Sequence, residues 1–319
     1  MFAARGIAVS LSVFVIVYGL LSLALVCGWR RASAWAQRLS LGRAADMLFV
    51  LRMFPFFTAA LMTAALTVPS FLLLEPRATD EAVGAVSLAL GACGLSLGLV
   101  GIMNAAIVLR RASRVVNQWT RGARPAESAG SVPVLTISPA SPALIATGIL
   151  RPRILLSSAA EMQLSGGELQ AALNHELAHV RRADNLKKLL LRLVAFPGMA
   201  GLEAAWLETT EMAADDAAVA TICDALDLAA ALIKLSRMVP DTATTDLTAA
   251  FVHGPASAVY ARVERLLAWS KEHNPAAEKH SRSYGLTLSL AALSALAMFA
   301  LTYSKLLVHI HTATEWLVR

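Results

Sequence analysis

Apolar positions along this chain follow two rhythms. Four long runs are almost free of charge: Ile7 to Trp29, Met53 to Leu74, Ala82 to Leu109 and Tyr284 to Val308. Each reaches the length of about 20 apolar residues that an α-helix needs to cross a bilayer. Between the third and fourth runs the pattern shortens. Val132 to Ser138, Ala143 to Thr147 and Arg153 to Ser157 read as short strands, punctuated by Pro139, Pro142, Gly148 and Pro152. Ser165-Gly166-Gly167-Glu168 then has the S-x-x-E form of a capping box, in which serine and glutamate satisfy free backbone N–H groups at a helix start. Leu169, Ala172, Leu173, Leu177 and Val180 give that helix one apolar face. Further helices are predicted over 186–193, 201–221, 227–238 and 259–271. Lys187, Lys188 and Arg192 among the leucines of 186–193 suit either a helix on a membrane surface or a core helix of the domain. Arg121 to Ser131, rich in Gly, Ala, Ser and Pro, predicts a flexible lead-in.

The expected architecture is a mainly α membrane protein with four transmembrane helices. Residues 1–114 would form a membrane region with spans at about 7–29, 53–74 and 82–109. Residues 115–282 would form an α+β domain inserted before a fourth span at 283–308, and 309–319 a short tail.

Composition agrees: 57% of residues are hydrophobic and only 16% are charged, against about 25% in soluble domains. The net charge of +6 has its cause at the ends of the apolar runs. Arg30, Arg31, Arg38 and Arg43 follow the first run, and Arg110, Arg111, Arg114, Arg121 and Arg124 follow the third. The loop after the second run is acidic on balance, with Glu75, Asp80 and Glu81 against Arg77. The positive-inside rule puts the arginine-rich loops in the cytoplasm, hence the 115–282 domain there and both termini outside. Only Arg5 precedes the first run, which favours a retained helix over a cleaved signal. No basic stretch is interleaved with aromatics, so nucleic-acid binding is not expected. Cys27, Cys93 and Cys223 have no partner at metal-ligand spacing and predict no disulfide framework. Gly94 and Gly98 form a G-x-x-x-G in the third run, favouring close intramolecular helix packing.

Chemistry enters at His175-Glu176-Leu177-Ala178-His179, an H-E-x-x-H sequence on the predicted capped helix. Residues four apart share a helix face, so both imidazoles can converge on one cation, and neutral imidazole suits Zn²⁺. Glu176 is placed to take a proton from an attacking water. A third ligand is required. Glu211 on the next predicted helix is the candidate, with Asp215 one turn later as an acid supporting the ligands, while Glu208 is the competing ligand.

The run His175 to Asp184 (H-E-L-A-H-V-R-R-A-D), followed by Glu211-Met-Ala-Ala-Asp-Asp216, resembles the BlaR/MecR-type membrane metallopeptidases. Thr147 to Ile154 (T-G-I-L-R-P-R-I) resembles that family's strand-turn-strand segment. The resemblance covers roughly residues 1 to 270. It implies a zincin-like (gluzincin) domain in a bacterial inner membrane, with His175, His179 and Glu211 as zinc ligands, Glu176 as catalytic base and Asp215 in support. Asp184 matches a family aspartate expected to be structural, fixing the end of the active-site helix. A looser likeness to Ste24/HtpX-type peptidases offers His253 and Tyr260 as donors to the oxyanion. The antibiotic-sensing members continue into a penicillin-binding domain where this chain has only 309–319, so acylation by β-lactams is not expected here.

The resemblance thus implies a zinc endopeptidase acting on a protein or peptide substrate beside the bilayer, with a soluble regulator such as a transcriptional repressor as the leading substrate. A partner sensor protein is a possible source of input. Processing of membrane proteins and a non-enzymatic transducer with a structural metal site are the competing readings. The sequence leaves the oligomeric state open.

Overall fold

The computed structural model describes residues 2–76, 83–126, 129–139, 141, 143–194, 196–238, 249–250, 256–272 and 302–316. Among these, three helices are long and apolar enough to cross a membrane, and a sheet-containing domain follows them. The first is α1 (Phe2–Ala36). The second is α2 (Leu41–Met62), continued by a π-helical turn (Thr63–Thr67) into α3 (Val68–Leu74). The third is α4 (Ala85–Trp119). These helices outrun the apolar stretches that signal them. Arg30 and Arg31 lie inside α1, Arg43 inside α2, and Arg110, Arg111 and Arg114 inside α4. A change from apolar to basic residues marks where the solvent changes, whereas a helix closes its hydrogen bonds within itself and continues past that point. The fourth apolar run lies outside the described residues as far as 301, and 302–316 are helical.

The chain divides into two compact units. The first gathers α1 as far as Gly28, the chain from Met53 to Val100, and the 302–316 helix. Close helix packing here runs through Gly91 and Gly94: a Cβ on Gly91 would lie 3.4 Å from Ala8 Cα, and one on Gly94 3.0 Å from Val15. Gly98 meets nothing within 4 Å among the described residues, so the expected close approach uses only one glycine of the G-x-x-x-G. The π turn also has a local cause. Pro69 carries no N–H to bond the Ala65 carbonyl four residues back, and the Tyr303 hydroxyl donates to that carbonyl at 2.7 Å instead. Arg5, buried, and Glu75, half-buried, pair at 2.5 Å.

The second unit comprises Trp29–Arg52 and Gly101–Asn274. Its sheet has the order β1-β2-β4-β3-β5: β1 (Arg124–Pro125), β2 (Val134–Ile137), β3 (Leu144–Thr147), β4 (Arg153–Ser157) and β5 (Ala249–Ala250). β2 and β4 are parallel, and the other neighbours antiparallel. The expected strands thus appear as β2, β3 and β4. Two-residue β1 lies in the stretch expected to be a flexible lead-in, where it pairs with β2, and β5 closes the far side of β3.

Alternation along the strands feeds two cores. Leu144, Ile154 and Leu156 face a cluster built with Ala172 and Leu177 of α6 (Gly166–Arg181), Leu228 and Leu232 of α9 (Ile222–Ser236), and Leu266 of α10 (Ala256–Glu272). Ile137, Ile145 and Leu155 face Val116 and Trp119 at the end of α4. Burying each such leucine or isoleucine contributes about 1.5–3 kcal/mol. Between these elements lie α5 (Ser158–Gln163), α7 (Asp184–Leu193) and α8 (Ala200–Ala218). α9 starts five residues before the sequence expectation, behind a capping box of Thr221 and Asp224. α7 belongs to the domain: Asp184, Asn185, Lys188 and Leu191 are buried.

Candidate metal centre

The capping box at Ser165 is formed as the sequence expects. Ser165 Oγ accepts from the Glu168 N–H at 3.3 Å, and the Glu168 carboxylate accepts from the Ser165 N–H at 2.8 Å. Lys234 of α9 donates to the same carboxylate at 2.6 Å. This holds the start of α6 in register, and two and a half turns later one face carries His175, Glu176 and His179, all buried. The His175 and His179 Nε2 atoms lie 3.1 Å apart. Glu211 on α8 brings Oε2 to 3.6 Å from His175 Nε2 and Oε1 to 3.5 Å from His179 Nε2. One ligand atom from each of His175, His179 and Glu211 lies within 4.8 Å of the others.

Each imidazole has a carboxylate behind it. His179 Nδ1 is 2.7 Å from Asp184 Oδ2, and His175 Nδ1 is 3.0 Å from Asp215 Oδ1. An acid at Nδ1 favours the tautomer protonated there, which turns the Nε2 lone pair inward. Two such lone pairs and a carboxylate oxygen directed at one point suit a divalent cation that accepts mixed nitrogen and oxygen ligands.

Asp184, expected to fix the end of α6, lies just beyond it and bonds back to His179 in its last turn. That helix ends at Arg181, Ala183 adopts a left-handed conformation with φ 53°, and Asp184 opens α7. The reversal turns its carboxylate back onto His179. Asn185 follows and donates to the Ala146 and Gly148 carbonyls at 3.2 and 3.3 Å, tying α7 to β3. Gly148 is in the left-handed region at φ 88°, where a Cβ would lie 2.6 Å from the Arg151 carbonyl oxygen, so glycine is required at that turn.

Glu176 points toward β3. Its Oε2 accepts from the Ala146 N–H at 2.6 Å, while its Oε1 is buried with no hydrogen-bond partner among the described residues. Burial pushes its carboxyl up, against the opposing charges of His179 and His175. For Glu211 burial acts in the same direction, but His179 and Arg262 outweigh it and hold the acid well below its usual range. His179 is pushed up to about 10: burial lowers it, and the Glu211 carboxylate with the Asp184 bond more than reverses that. Two neighbouring glutamates are therefore driven apart, one toward the neutral acid and one toward the anion.

The structure gathers His175, Glu176, His179, Glu211, Asp215 and Asp184 into one cluster. Tyr260 lies on α10 at 70% exposure, and the competing acid Glu208 is also exposed. His253 lies outside the described residues. The residue that sequence reasoning missed is Arg262. It sits on the opposite side of α10 from Tyr260, is only 4% exposed, and reaches both Asp215 and Glu211. The only sequence pointer to it was the loose Ste24/HtpX-type likeness, in which His253-Gly254-Pro255 precedes Arg262. Arg265 donates to Asp216 at 2.5 Å and to the Met212 carbonyl at 3.1 Å, so α10 grips α8 along two turns.

The sequence model of the family described as BlaR1 peptidase M56 matches residues 78–266, more than half of the chain and all of the residues in this cluster. A comparison with curated proteins finds no match.

Proposed function

Since the chain belongs to the BlaR1 peptidase M56 family, a family of membrane metallopeptidases, we propose that it is a zinc-dependent endopeptidase whose catalytic domain faces the cytoplasm. The arginines near the ends of α1 and α4, and the acidic balance after α3, support that orientation. On this reading four spans hold the domain, three before it and one over 283–308. The preferred substrate is a soluble regulatory protein such as a transcriptional repressor, cleaved in a signalling pathway.

The observation that carries the reading is Glu176 Oε1, buried with no hydrogen-bond partner among the described residues, beside three converging ligand atoms. A buried carboxylate oxygen without a donor costs roughly 1–3 kcal/mol, and a purely structural metal site has no use for it. A zinc ion held by His175, His179 and Glu211 would supply a Lewis acid that polarises a peptide carbonyl and acidifies water. The chain's own groups do the rest. Glu176 Oε1 accepts a proton and returns it to the leaving amine, and the proton affinity that burial raises favours that exchange. The Ala146 N–H holds Oε2, so the accepting oxygen keeps one orientation. Asp184 and Asp215 fix the two imidazoles.

The test is Glu176→Gln in the full-length protein. Bound zinc is expected to persist while proteolysis falls by about 10²–10⁴-fold, the usual worth of a positioned base. Comparing proteins cleaved in cells carrying the wild type and this variant identifies the substrate. Undiminished proteolysis by Glu176→Gln refutes the mechanism.

A further inference from the structure

A buried guanidinium beside a cation site is an unexpected feature. Arg262 Nε donates to Asp215 Oδ2 at 2.8 Å and Nη2 to Asp215 Oδ1 at 2.6 Å, a two-pronged pairing of one planar group with another. Nη1 donates to Glu211 Oε2 at 3.1 Å, and Nη2 lies 3.5 Å from His175 Nε2. Its positive charge opposes a divalent cation placed among the same residues. A fold that keeps it there gains something else from it.

The gain is in geometry. Asp215 and Glu211 are four residues apart on α8, so their side chains share a face but remain free to rotate independently. One rigid fork joins them. With both Asp215 oxygens engaged, that carboxylate is fixed in plane with Oδ1 3.0 Å from His175 Nδ1. With Glu211 Oε2 engaged by Nη1, the oxygen left for a cation is Oε1, 3.5 Å from His179 Nε2. We infer that Arg262 is a positioning residue of the metal site: it restricts Glu211 to one ligating oxygen and locks Asp215 behind His175. A single-oxygen carboxylate leaves room for a water and a substrate carbonyl, whereas a two-oxygen one fills that space. Lysine cannot replace it, because one ammonium on a flexible stem does not reproduce three directed bonds. The inference rests on the proposal that His175, His179 and Glu211 hold the metal.

The experiment compares full-length wild type and Arg262→Lys by competition of zinc with a chelating dye and by the visible spectrum of the cobalt-loaded protein. Arg262→Lys is expected to bind zinc about 10–100-fold more weakly, the usual effect of losing a ligand's supporting partner. Its cobalt band should weaken as Glu211 swings to bind through both oxygens. A wild type that binds no zinc overturns the metal-site reading and this inference together. A wild type that binds zinc, with Arg262→Lys matching it in affinity and spectrum, overturns this inference alone, even if the variant melts earlier. If Arg262→Lys does not fold, the double variant Arg262→Met with Asp215→Asn removes the buried ion pair as a unit, which folded proteins often tolerate. That variant is expected to fold, to bind zinc more weakly than Asp215→Asn alone and to show the altered cobalt spectrum, whereas affinity no weaker than that of Asp215→Asn alone overturns the inference. Wild-type affinity and spectrum in it, or failure of both variants to fold, assigns Arg262 to the core and overturns the proposal.

Discussion

Asp184→Asn isolates what a buried carboxylate behind a histidine contributes. Asp184 is fully buried and bonded to His179 Nδ1 at 2.7 Å, at the first residue of α7. Asparagine matches its shape, so the volume of the site is unchanged and an amide oxygen can still accept from Nδ1. The substitution removes the charge from that bond. A hydrogen bond to a charged group contributes about 1.5–3 kcal/mol and a neutral one about 0.5–1.5, leaving a loss of about 1–1.5 kcal/mol. That is roughly tenfold in zinc affinity. Asp184→Ala also strands the imidazole N–H in the interior and is expected to approach the ~100-fold end of the range seen when such partners are lost. Chelator competition on the detergent-solubilised protein measures both variants.

Asp46→Asn is the internal control. Asp46 on α2 is 56% exposed and accepts from Arg182 at 3.0 Å and from Lys187 at 2.9 Å. Those two cations lie 3.9 Å from Asp184 Oδ1. An exposed pair is worth at most about 1 kcal/mol, and only a fraction of it reaches His179, so affinity should change by less than about threefold. If Asp184→Ala binds zinc as wild type does, or if Asp46→Asn weakens it as much as Asp184→Asn, direct hydrogen bonding is not what supports His179 and the reasoning fails.

Four further outcomes follow from the same structure. His179 is pushed up to about 10 in the metal-free site, so below that pH zinc must displace its proton. Zinc affinity is expected to rise with pH, and calorimetry at pH 8 in buffers of different ionisation heat should detect proton release on binding. The stability term has the opposite sign: a histidine raised from about 6.5 stabilises the metal-free fold fully below that pH and ceases to do so as pH rises through 10. Metal-free thermal unfolding should therefore move to lower temperature across that window. Ala183→Gly relieves a left-handed alanine that costs roughly 1–2 kcal/mol. Set against glycine's extra unfolded-state freedom of about 0.4–1 kcal/mol, a small net stabilisation is expected, and a lower unfolding temperature would contradict it. Tyr303→Phe frees the Ala65 carbonyl and should destabilise the membrane unit by about 0.6 kcal/mol, read in a double-variant cycle with Pro69→Ala.

The candidate ligands and the supporting acid Asp215 were legible and the arginine behind them was not, for a physical reason. His175, Glu176 and His179 are contiguous, and the helix that brings them together is declared locally by Ser165, Glu168 and a 3.6-residue apolar period. Glu211 and Asp215 repeat that spacing on the next helix, so the choice of Glu211 over Glu208 needs only the knowledge of which face turns inward. The three long helices were equally plain, because about 20 apolar residues have few other uses. Arg262 is different. It lies 47 residues from Asp215 and 51 from Glu211, and no local pattern distinguishes an arginine turned into a cluster of acids from one turned to water. β1 and β5, at two residues each, carry too little composition to be read at all, although β5 closes the β3 edge beside Ala146. Asp184 falls between these cases. Only five residues separate it from His179, yet its return to the ring depends on one left-handed alanine that alanine's own preferences argue against. The residues proposed to hold the cation are thus set by helix periodicity, and Arg262 and Asp184, which aim them, by tertiary packing. Variants of Arg262 and Asp184 therefore probe the fold's share of the site in a way that variants of His175 or His179 cannot.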